Sequence, residues 1–454
     1  MPQAGKSGTG SGGSAQGGST PREGLGARAA ALRLLMAVWQ DGEMLAGLVD
    51  APDGPLERLE PSERARAQRL ALATLRGTAA ADTLLGPFLR KAPPPRVRAI
   101  LRLATVELAQ GGAAHGVVDG AVALARQDRK TGHLSGLVNA VLRQVATTAP
   151  ERWPDLPPQR LPGWLRGRLQ SAWGGKVTAA IEAVQAAAPP LDLTPRAMSV
   201  DEAAALAAEA DGTVLPTGSV RLPGGAQVSA LPGYGEGTFW VQDAAAALPA
   251  RVLAPRPGER VLDMCAAPGG KTLQLAAAGA RVTALDISGP RLARLHENLA
   301  RAELEAEVVT GDALHYAGIP GGFDAVLLDA PCSATGTIRR HPELPFVRAA
   351  ADIKPLVALQ AEMIDHALTL LRPGGRLVFC TCSLLPDEGE AQARAALARH
   401  PALVADPAAL DLPGVAPDWR GPDGLRLRPD HWADRGGMDG FFVAAFRNGA
   451  GDAA

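Results

Sequence analysis

Two cysteines are the side chains in this sequence best suited to covalent chemistry. The chain has four cysteines among its 454 residues, all in the second half. Cys332 and Cys382 stand beside Pro, Thr and Ser, just after short apolar runs. Cys265 and Cys380 fit the ordinary role of a cysteine as a small buried hydrophobe. We therefore expect Cys332 and Cys382 to lie on loops at the ends of two strands, where a thiol can react.

Two other uses of these thiols compete with catalysis. A zinc site is disfavoured, because the Cys-x-Cys of Cys380 and Cys382 has no partner Cys-x-x-Cys or nearby His pair, and we predict no metal. A redox pair between Cys332 and Cys382 stays open, although the spacing differs from the Cys-x-x-Cys of oxidoreductases. So few cysteines cannot form a disulfide framework in a chain this long, which indicates a reducing compartment and predicts a cytoplasmic protein.

Residues 261–272 predict a ligand-binding turn. They read Val-Leu-Asp-Met-Cys-Ala-Ala-Pro-Gly-Gly-Lys-Thr, a pattern typical of a buried strand, a glycine turn and a helix. Gly269 and Gly270 allow the backbone to approach a ligand at the carboxyl end of the strand. The turn is neither Gly-x-Gly-x-x-Gly nor a P-loop. This argues against a nicotinamide dehydrogenase and against a nucleoside triphosphate site.

Polar residues follow at the ends of later strands. Asp286 ends a second strand, where a carboxylate can accept hydrogen bonds from ribose hydroxyls, and Asp312 ends a third, where it can bond an adenine amino group. Lys271 is informative because only six of the 46 basic residues are lysines. One acidic strand end is usually a cap or turn residue, but three ligand-facing ends in register favour a cofactor site.

Two thiols beside a small-cofactor site suit the methylation of cytosine. Carbon 5 of cytosine is a poor nucleophile, but a thiolate that adds to carbon 6 converts the ring to an enamine that can attack a sulfonium methyl group. Loss of the carbon 5 proton and expulsion of the thiolate complete the cycle, and a second thiol can assist that release. A carboxylate near the ring, for which Asp329 is our candidate, can hold a proton at N3.

The elements around these residues predict an α/β domain. Short apolar runs alternate with helical stretches, which favours a parallel sheet covered by helices on both faces. We expect strands at 260–264, 281–285, 307–309, 325–328 and 376–380, helices at 272–278, 291–301 and 354–371, and a last edge strand at 440–446.

The front of the chain predicts other folds. Apolar residues at helical spacing predict an all-α domain up to about residue 146. A Trp- and Pro-rich connection then leads to a small α+β subdomain, with strands near 212–215 and 239–241 and a helix near 201–210. No apolar stretch approaches the roughly 18 residues that span a bilayer, so we expect a soluble protein with no membrane partner.

The charge of the chain is divided between its halves. The whole sequence carries a formal net charge of -1, which at face value argues against a nucleic-acid partner. Residues 1–190, however, hold 23 basic and 15 acidic residues, whereas 191–454 hold 23 and 32. The basic front can follow a phosphate backbone, although solvated helix faces explain each arginine run equally well.

At these motifs the sequence resembles the S-adenosylmethionine-dependent RNA cytosine C5-methyltransferases. It is most similar to the bacterial RsmB (Sun/Fmu) type, which modifies small-subunit (16S) ribosomal RNA. The motifs that carry the resemblance are the segment 261–272, Ala-Leu-Asp286, Gly-Asp312-Ala, Asp329-Ala-Pro-Cys-Ser, Arg-Pro-Gly-Gly at 372–375, Thr-Cys382-Ser and Gly-Met-Asp-Gly-Phe-Phe at 437–442.

The resemblance implies roles for individual residues. Cys382, in the Thr-Cys-Ser loop, is implied to be the nucleophile, and Cys332, in the Pro-Cys motif, is implied to help product release. DNA cytosine methyltransferases attack with the Pro-Cys cysteine instead, so the presence of both thiols points to RNA. The implied cofactor is S-adenosylmethionine, and its implied contacts are Cys265, Ala266, Ala267, Pro268, Gly269, Gly270, Lys271, Asp286, Asp312 and Asp329.

The resemblance also covers the front of the chain. Residues 28–146 are similar to the NusB-like helical RNA-binding domain fused to RsmB-type enzymes, most clearly at 137–143. We expect a multidomain α and α/β protein, a monomer whose partner is small-subunit ribosomal RNA. Its expected parts are a disordered Gly/Ser-rich tail (1–24), a NusB-like domain (25–150), a helical linker (151–189), a small α+β, RRM/ferredoxin-like subdomain (190–247), a Rossmann-like class I methyltransferase domain (248–447) and a flexible tail (448–454).

Some positions depart from the family pattern. Ala334 replaces the usual Gly, and Glu343-Leu-Pro stands where Asp-Ile-Lys is typical. Residues 193–198 lack the usual Arg-x-Asn. These departures bear on the target nucleotide more than on the chemistry, and they leave open whether transfer RNA is also a substrate.

A second hypothesis comes from another functional class. In a ribosome-assembly or antitermination factor, the helical domain would do the essential work and methylation would be secondary. The intact Cys332, Cys382 and cofactor-loop residues speak against a dead enzyme. The sequence alone does not decide which activity the cell needs.

Overall fold

The computed structural model describes residues 24–49, 51–224 and 226–449, and these residues form two compact units. One unit comprises 24–41, 46–74 and 81–156, and the other comprises 42–45, 75–80 and 157–449. The expected tails at 1–24 and 448–454 lie, apart from residues 24, 448 and 449, outside the described residues. None of the described helices is long and apolar enough to cross a membrane.

The front of the chain is helical, as predicted. A single π-helical turn follows the first helix. In the helix Pro95–Ala109 the apolar residues Ile100, Leu101, Ala104 and Leu108 are buried, whereas Leu137 in the helix Ser135–Arg152 is exposed. The helices are α1 (Leu25–Met36), α2 (Leu45–Val49), α3 (Pro61–Arg76), α4 (Thr78–Leu85), α5 (Pro95–Ala109), α6 (Ala114–Arg126) and α7 (Ser135–Arg152).

The expected helical linker contributes to the core of the second unit. Its helix, α8, spans Gly163–Ala186 and is interrupted by a kink at Gly174, where φ is 83°. The side chains of Leu165, Leu169 and Ile181 belong to one buried cluster with Leu384 and Leu385, which follow the Thr-Cys-Ser motif. This stretch is therefore a packed element rather than a spacer.

A small antiparallel sheet follows α8. Its elements are β1 (Leu191–Pro195), α9 (Val200–Glu209), β2 (Thr213–Val214), β3 (Val220–Leu222) and β4 (Phe239–Val241). The strands lie in the order β2, β3, β1, β4, and α9 covers one face. The prediction found β2, β4 and the helix but missed β1 and β3. Each missed strand carries a buried charge that interrupts its apolar pattern, and these two charges, Asp192 and Arg221, pair at 2.7 Å.

The large sheet contains the five predicted parallel strands. These strands are β5 (Arg260–Met264), β6 (Arg281–Asp286), β7 (Glu307–Thr310), β8 (Phe323–Asp329) and β9 (Leu371–Thr381). They run side by side in the order β7, β6, β5, β8, β9, so their carboxyl ends share one edge.

The prediction of a last strand at 440–446 is right about the strand but wrong in placing it at the edge of the sheet. The strand exists as β12 (Phe441–Asn448), antiparallel to β9. It lies inside the sheet, because β10 (Leu403–Ala405) and β11 (Leu425–Leu427) both pair with its other side. The nearly continuous apolar sequence Phe-Phe-Val-Ala-Ala-Phe suits such a doubly covered position.

Helices cover both faces of the large sheet, as predicted. Alternate strand residues point to opposite faces, so Val261 and Leu327 join one core and Leu262 and Val326 join the other. The covering helices are α10 (Leu248–Leu253), α11 (Gly270–Ala277), α12 (Gly289–Arg301), α14 (Ile353–Leu370) and α15 (Glu390–Arg399), whereas the short α13 (Leu344–Val347) packs in the cluster with α8.

A buried ion-pair network joins the two sheets. Arg339 is fully buried and donates to Asp439 from Nε and to Asp243 from Nη2, each at 2.7 Å. Arg340 donates to the same two carboxylates. Asp243 lies just after β4 of the small sheet and Asp439 lies just before β12 of the large one. The network therefore holds the end of β4 and the start of β12 in fixed positions relative to each other.

Arg339→Met is expected to destabilise the second unit by about 3 to 5 kcal/mol, because it leaves buried carboxylates short of a charge partner. The matched control is Arg394→Met, which removes an arginine whose side chain is 59% exposed and paired with Asp423. That change is expected to cost about 1 kcal/mol or less. Urea unfolding measures both, and equal losses would contradict the structural role of the buried network.

Candidate active site

The predicted cofactor loop connects β5 to α11 at the carboxyl edge of the sheet. Its backbone is unusual at Cys265, with φ 63°, and at Gly269, with φ 109°, and the Ala267–Pro268 peptide bond is cis. A Cβ atom on Gly269 would lie 2.3 Å from Cδ1 of Leu295 on α12. Close packing and the left-handed conformation thus explain why residue 269 is glycine.

Asp286, at the end of β6, holds this loop in place. Its Oδ2 accepts a hydrogen bond from the backbone N–H of Ala267 at 3.0 Å, and its Oδ1 accepts one from Ser288 N–H at 2.9 Å. Arg291 lies 3.6 Å away and also donates to the carbonyl of Ala267. The predicted residues Ala267 and Asp286 are therefore neighbours, and Asp286 itself is buried.

Lys271 and Asp329 form an ion pair between α11 and the end of β8. Nζ of Lys271 lies 2.7 Å from Oδ2 of Asp329, and the other carboxylate oxygen lies 3.4 Å from Sγ of Cys380. Burial lowers the pKa of Lys271, but the charge of Asp329, its hydrogen bond and the other negative charges nearby together outweigh burial and raise that pKa. Lys271 is thus a fixed positive charge that orients Asp329.

Asp263 is a polar residue of this site that the sequence analysis did not single out. It is fully buried in β5, where Oδ2 accepts a hydrogen bond from Thr272 at 2.6 Å and Oδ1 has no partner among the described residues. Burial raises its pKa to about 7, although the hydrogen bond from Thr272 and the charge of Lys271 act in the opposite direction. A further positive charge nearby would favour its ionised form.

The two reactive-cysteine candidates lie side by side. The sulfur atoms of Cys332 and Cys382 are 3.4 Å apart, and both residues are half-buried. The hydrogen bond to Cys382 and the loss of water raise the pKa of Cys332, so this residue keeps its proton. Burial raises the pKa of both Cys265 and Cys380, which agrees with their expected inert role.

Asp312 stands apart from this group. Its carboxylate accepts hydrogen bonds from the N–H of Leu314 at 2.9 Å and lies 3.0 Å from His315, so its contacts stay within its own turn. The structure joins it to the site through the backbone, because Gly311 N–H donates to the carbonyl of Asp286. The carboxylate itself is exposed at the end of β7.

Comparison with known proteins places this arrangement in a family. Residues 250–447 match the family model "16S rRNA methyltransferase RsmB/F", and residues 25–147 match the NusB family. Ribosomal RNA small subunit methyltransferase B of Cronobacter sakazakii is 36% identical, over 87% of this chain and 96% of that protein. The enzyme of the same name from Pseudomonas putida is 38% identical, over 92% and 97%. The chain belongs to the RsmB/F family of 16S rRNA methyltransferases.

Two solved structures support the fold. The crystal structure of PH0851 matches with a TM-score of 0.71 at 23% identity, over 93% of this chain and 98% of that one. A methyltransferase homolog protein from Pyrococcus horikoshii matches with a TM-score of 0.52 at 28% identity, over 62% and 93%. The predicted NusB-like and Rossmann-like architecture is confirmed, and so is the predicted class of enzyme, an S-adenosylmethionine-dependent rRNA methyltransferase.

One departure of this RsmB/F methyltransferase from the family pattern has a visible structural effect. Ala334, where the family usually has glycine, adopts the left-handed conformation with φ 57° and ψ 22°. This backbone conformation is less favourable by roughly 1 to 2 kcal/mol for an L-residue, whereas glycine adopts it with almost no penalty. The turn after Cys332 therefore carries strain that glycine would relieve.

Ala334→Gly is expected to leave the protein equally stable or to stabilise it by up to about 1 kcal/mol, because relief of strain offsets the greater freedom of glycine in the unfolded chain. Thermal unfolding measures the effect. Ala330→Gly, in the same segment but without positive φ, is the matched control and is expected to destabilise. A loss at residue 334 as large as that at residue 330 would rule out the strain.

Proposed function

We propose that this enzyme transfers the methyl group to carbon 5 of a cytosine in 16S rRNA, through a covalent bond between Cys382 and the base. The observation that carries the proposal is the 3.4 Å separation of the Cys332 and Cys382 sulfurs, on loops that leave the same edge of the sheet. Methylation at a nitrogen or a ribose hydroxyl would need no thiol nucleophile. A pair of thiols at the site therefore favours carbon 5.

The residues at the sheet edge fit S-adenosylmethionine. When bound, it supplies a methyl group made electrophilic by a sulfonium centre. We assign its ribose to Asp286 and its adenine to Asp312, which can accept hydrogen bonds from hydroxyl and amino groups. Ile287, directly after Asp286, is 71% exposed and offers an apolar surface for the face of the base. The remaining proposed contacts are Cys265, Ala266, Ala267, Pro268, Gly269, Gly270, Lys271 and Asp329.

The chemistry begins with the addition of the Cys382 thiolate to carbon 6. Asp329, oriented by Lys271, accepts a hydrogen bond from a proton held at N3 of the ring, which makes carbon 6 more electrophilic. The resulting enamine would be nucleophilic at carbon 5, and S-adenosylmethionine held by the cofactor-loop residues would supply the methyl group and leave as S-adenosylhomocysteine. Water then takes the proton from carbon 5, the electron pair of that C–H bond forms the double bond to carbon 6, and the bond from carbon 6 to sulfur breaks with its electron pair returning to Cys382.

Cys332 is suited to the last step of this cycle. Its thiol keeps its proton and lies within hydrogen-bonding distance of the Cys382 sulfur. Such a donor stabilises negative charge on Cys382 as the thiolate leaves the base.

Cys382→Ala is expected to lower methyl transfer to 16S rRNA by more than about 10³-fold, because the covalent route is lost, while S-adenosylmethionine binds normally. Transfer of labelled methyl groups measures the rate, and calorimetry measures cofactor binding. Bisulfite sequencing of the wild-type product tests the position, because 5-methylcytosine resists deamination. Full activity of the variant would remove Cys382 from its role.

Cys332→Ala is expected to accumulate covalent complexes of enzyme and RNA, because the carbon 6 to sulfur bond then breaks slowly. A slowly migrating band on a denaturing gel reports the complex. The double variant Cys332→Ala, Cys382→Ala is the control and should show no band. If the single variant Cys382→Ala accumulated covalent complexes and the single variant Cys332→Ala did not, then Cys332 would be the nucleophile and Cys382 would assist release.

A further inference from the structure

A buried carboxylate lies beneath both cysteine loops and takes no direct part in the chemistry described above. Glu388 is fully buried, in the segment that follows the Thr-Cys-Ser motif. We propose that Glu388 is the positioning residue that fastens the Cys332 loop to the Cys382 loop and so sets the alignment of the two thiols. This inference rests on the proposed function, because it assumes that both thiols act on the base.

The contacts of Glu388 reach one residue beyond each cysteine. Its Oε1 accepts a hydrogen bond from the backbone N–H of Ser333 at 2.9 Å, and its Oε2 accepts one from the hydroxyl of the same residue at 2.5 Å. The hydroxyl of Ser383 donates to Oε2 at 2.6 Å. Ser333 follows Cys332 and Ser383 follows Cys382. A single carboxylate therefore accepts hydrogen bonds from the residues next to both thiols.

A fourth donor holds the carboxylate itself. Nε2 of Gln360, on α14, lies 3.1 Å from Oε1 of Glu388 and also donates to the carbonyl of Pro331 at 2.9 Å. The backbone carbonyl of Glu388 accepts a hydrogen bond from Thr381 at 2.9 Å. The Pro-Cys loop is thus bonded on both sides of Cys332, at Pro331 and at Ser333, to groups that meet at Glu388.

The Cys382 loop is fixed by the same group of residues. The hydroxyl of Ser383 accepts from the N–H of Leu385 at 3.0 Å while it donates to Glu388. The carbonyl of Cys382 accepts from Gly336 N–H at 2.9 Å, and the hydroxyl of Thr335 accepts from Leu384 N–H at 3.0 Å. The loops therefore bond to each other directly as well as through Glu388.

These four donors account for the residue type at position 388. Two carboxylate oxygens accept all four hydrogen bonds without water, and a buried donor left unpaired would cost about 1 to 3 kcal/mol. The amide of glutamine can serve the same donors in another way. Its oxygen can accept from Ser333 N–H and Gln360, while its amide group donates to the hydroxyl oxygens of Ser333 and Ser383, which can each accept.

The first test compares Glu388→Ala with Glu388→Gln. For Glu388→Ala we expect kcat to fall by roughly 10²-fold, because misplacement of reacting groups by about 1 Å has an effect of that size. The Michaelis constant for RNA and the dissociation constant for S-adenosylmethionine are expected to change less than about threefold. Glu388→Gln is expected to recover most of kcat. Alignment explains such rescue, whereas a need for the negative charge does not.

Glu182→Ala is the matched control for a buried glutamate. Glu182 on α8 accepts from Leu161 N–H and Arg166, each at 2.9 Å, and neither donor belongs to a cysteine loop. We expect this variant to lose thermal stability and to keep kcat. If Glu182→Ala and Glu388→Ala lower kcat equally at equal loss of stability, general destabilisation explains both and the positioning role is overturned.

A second pair of variants keeps the proposal testable if Glu388→Ala does not fold. Ser383→Ala and Ser333→Ala each remove one hydroxyl that donates to Glu388 and leave the carboxylate in place. Each is expected to lower both kcat and the rate of covalent complex formation in the Cys332→Ala background, with cofactor binding unchanged. Unchanged rates in both would overturn the proposal.

The outcomes also separate this proposal from the proposed function. An active Cys382→Ala variant would overturn the covalent mechanism, and the positioning role with it. An inactive Cys382→Ala variant together with full kcat in Glu388→Ala would overturn only the positioning role. Loss of kcat in Glu388→Ala with no rescue by glutamine would do the same, because it would indicate a requirement for charge and not for alignment.

Discussion

The pairing of β8 with β9 is the constraint on which the site depends. The strands run parallel, and Asp329 lies opposite Cys380 in their register. Cys332 comes three residues after Asp329 and Cys382 comes two residues after Cys380. Both cysteines therefore lie just beyond the paired ends of the two strands. A shift of one residue would move every side chain of one strand to the other face. The 3.4 Å separation of the thiols is therefore a consequence of sheet register.

The charges at this edge depend on the same alignment. Lys271 enters from α11 and Asp329 from β8, and their ion pair needs the ends of β5 and β8 to be level. Asp286, at the end of β6, holds the backbone of the cofactor loop and so ties a third strand to the site. The parallel sheet thus brings residues that are far apart in the sequence to one row of polar groups. Lys271, Asp329 and Asp286 each bond to a residue from another segment of the chain.

The period of the apolar runs made the five parallel strands and the all-α front predictable from the sequence. The motifs also indicated which strand ends carry polar residues. The interior position of β12 was not predictable, because its neighbours β10 and β11 are only three residues long each and carry little pattern. The strands β1 and β3 were missed for a different reason: Asp192 and Arg221 are buried as a pair, and only tertiary contacts reveal that pairing.

Glu388 illustrates what the motifs omit. It lies six residues after Cys382, in a polar stretch that looks like an ordinary turn, and its importance is apparent only when the Pro-Cys loop, 55 residues earlier at Ser333, is folded against it. Once the chain leaves β8 and β9, its N–H and carbonyl groups lose their partners in the sheet, and buried ones must find others. Ser333, Ser383, Thr335 and Glu388 supply them. A reactive loop that must be both irregular and rigid therefore needs buried side-chain acceptors, and these are as much a part of the site as the thiols that they hold.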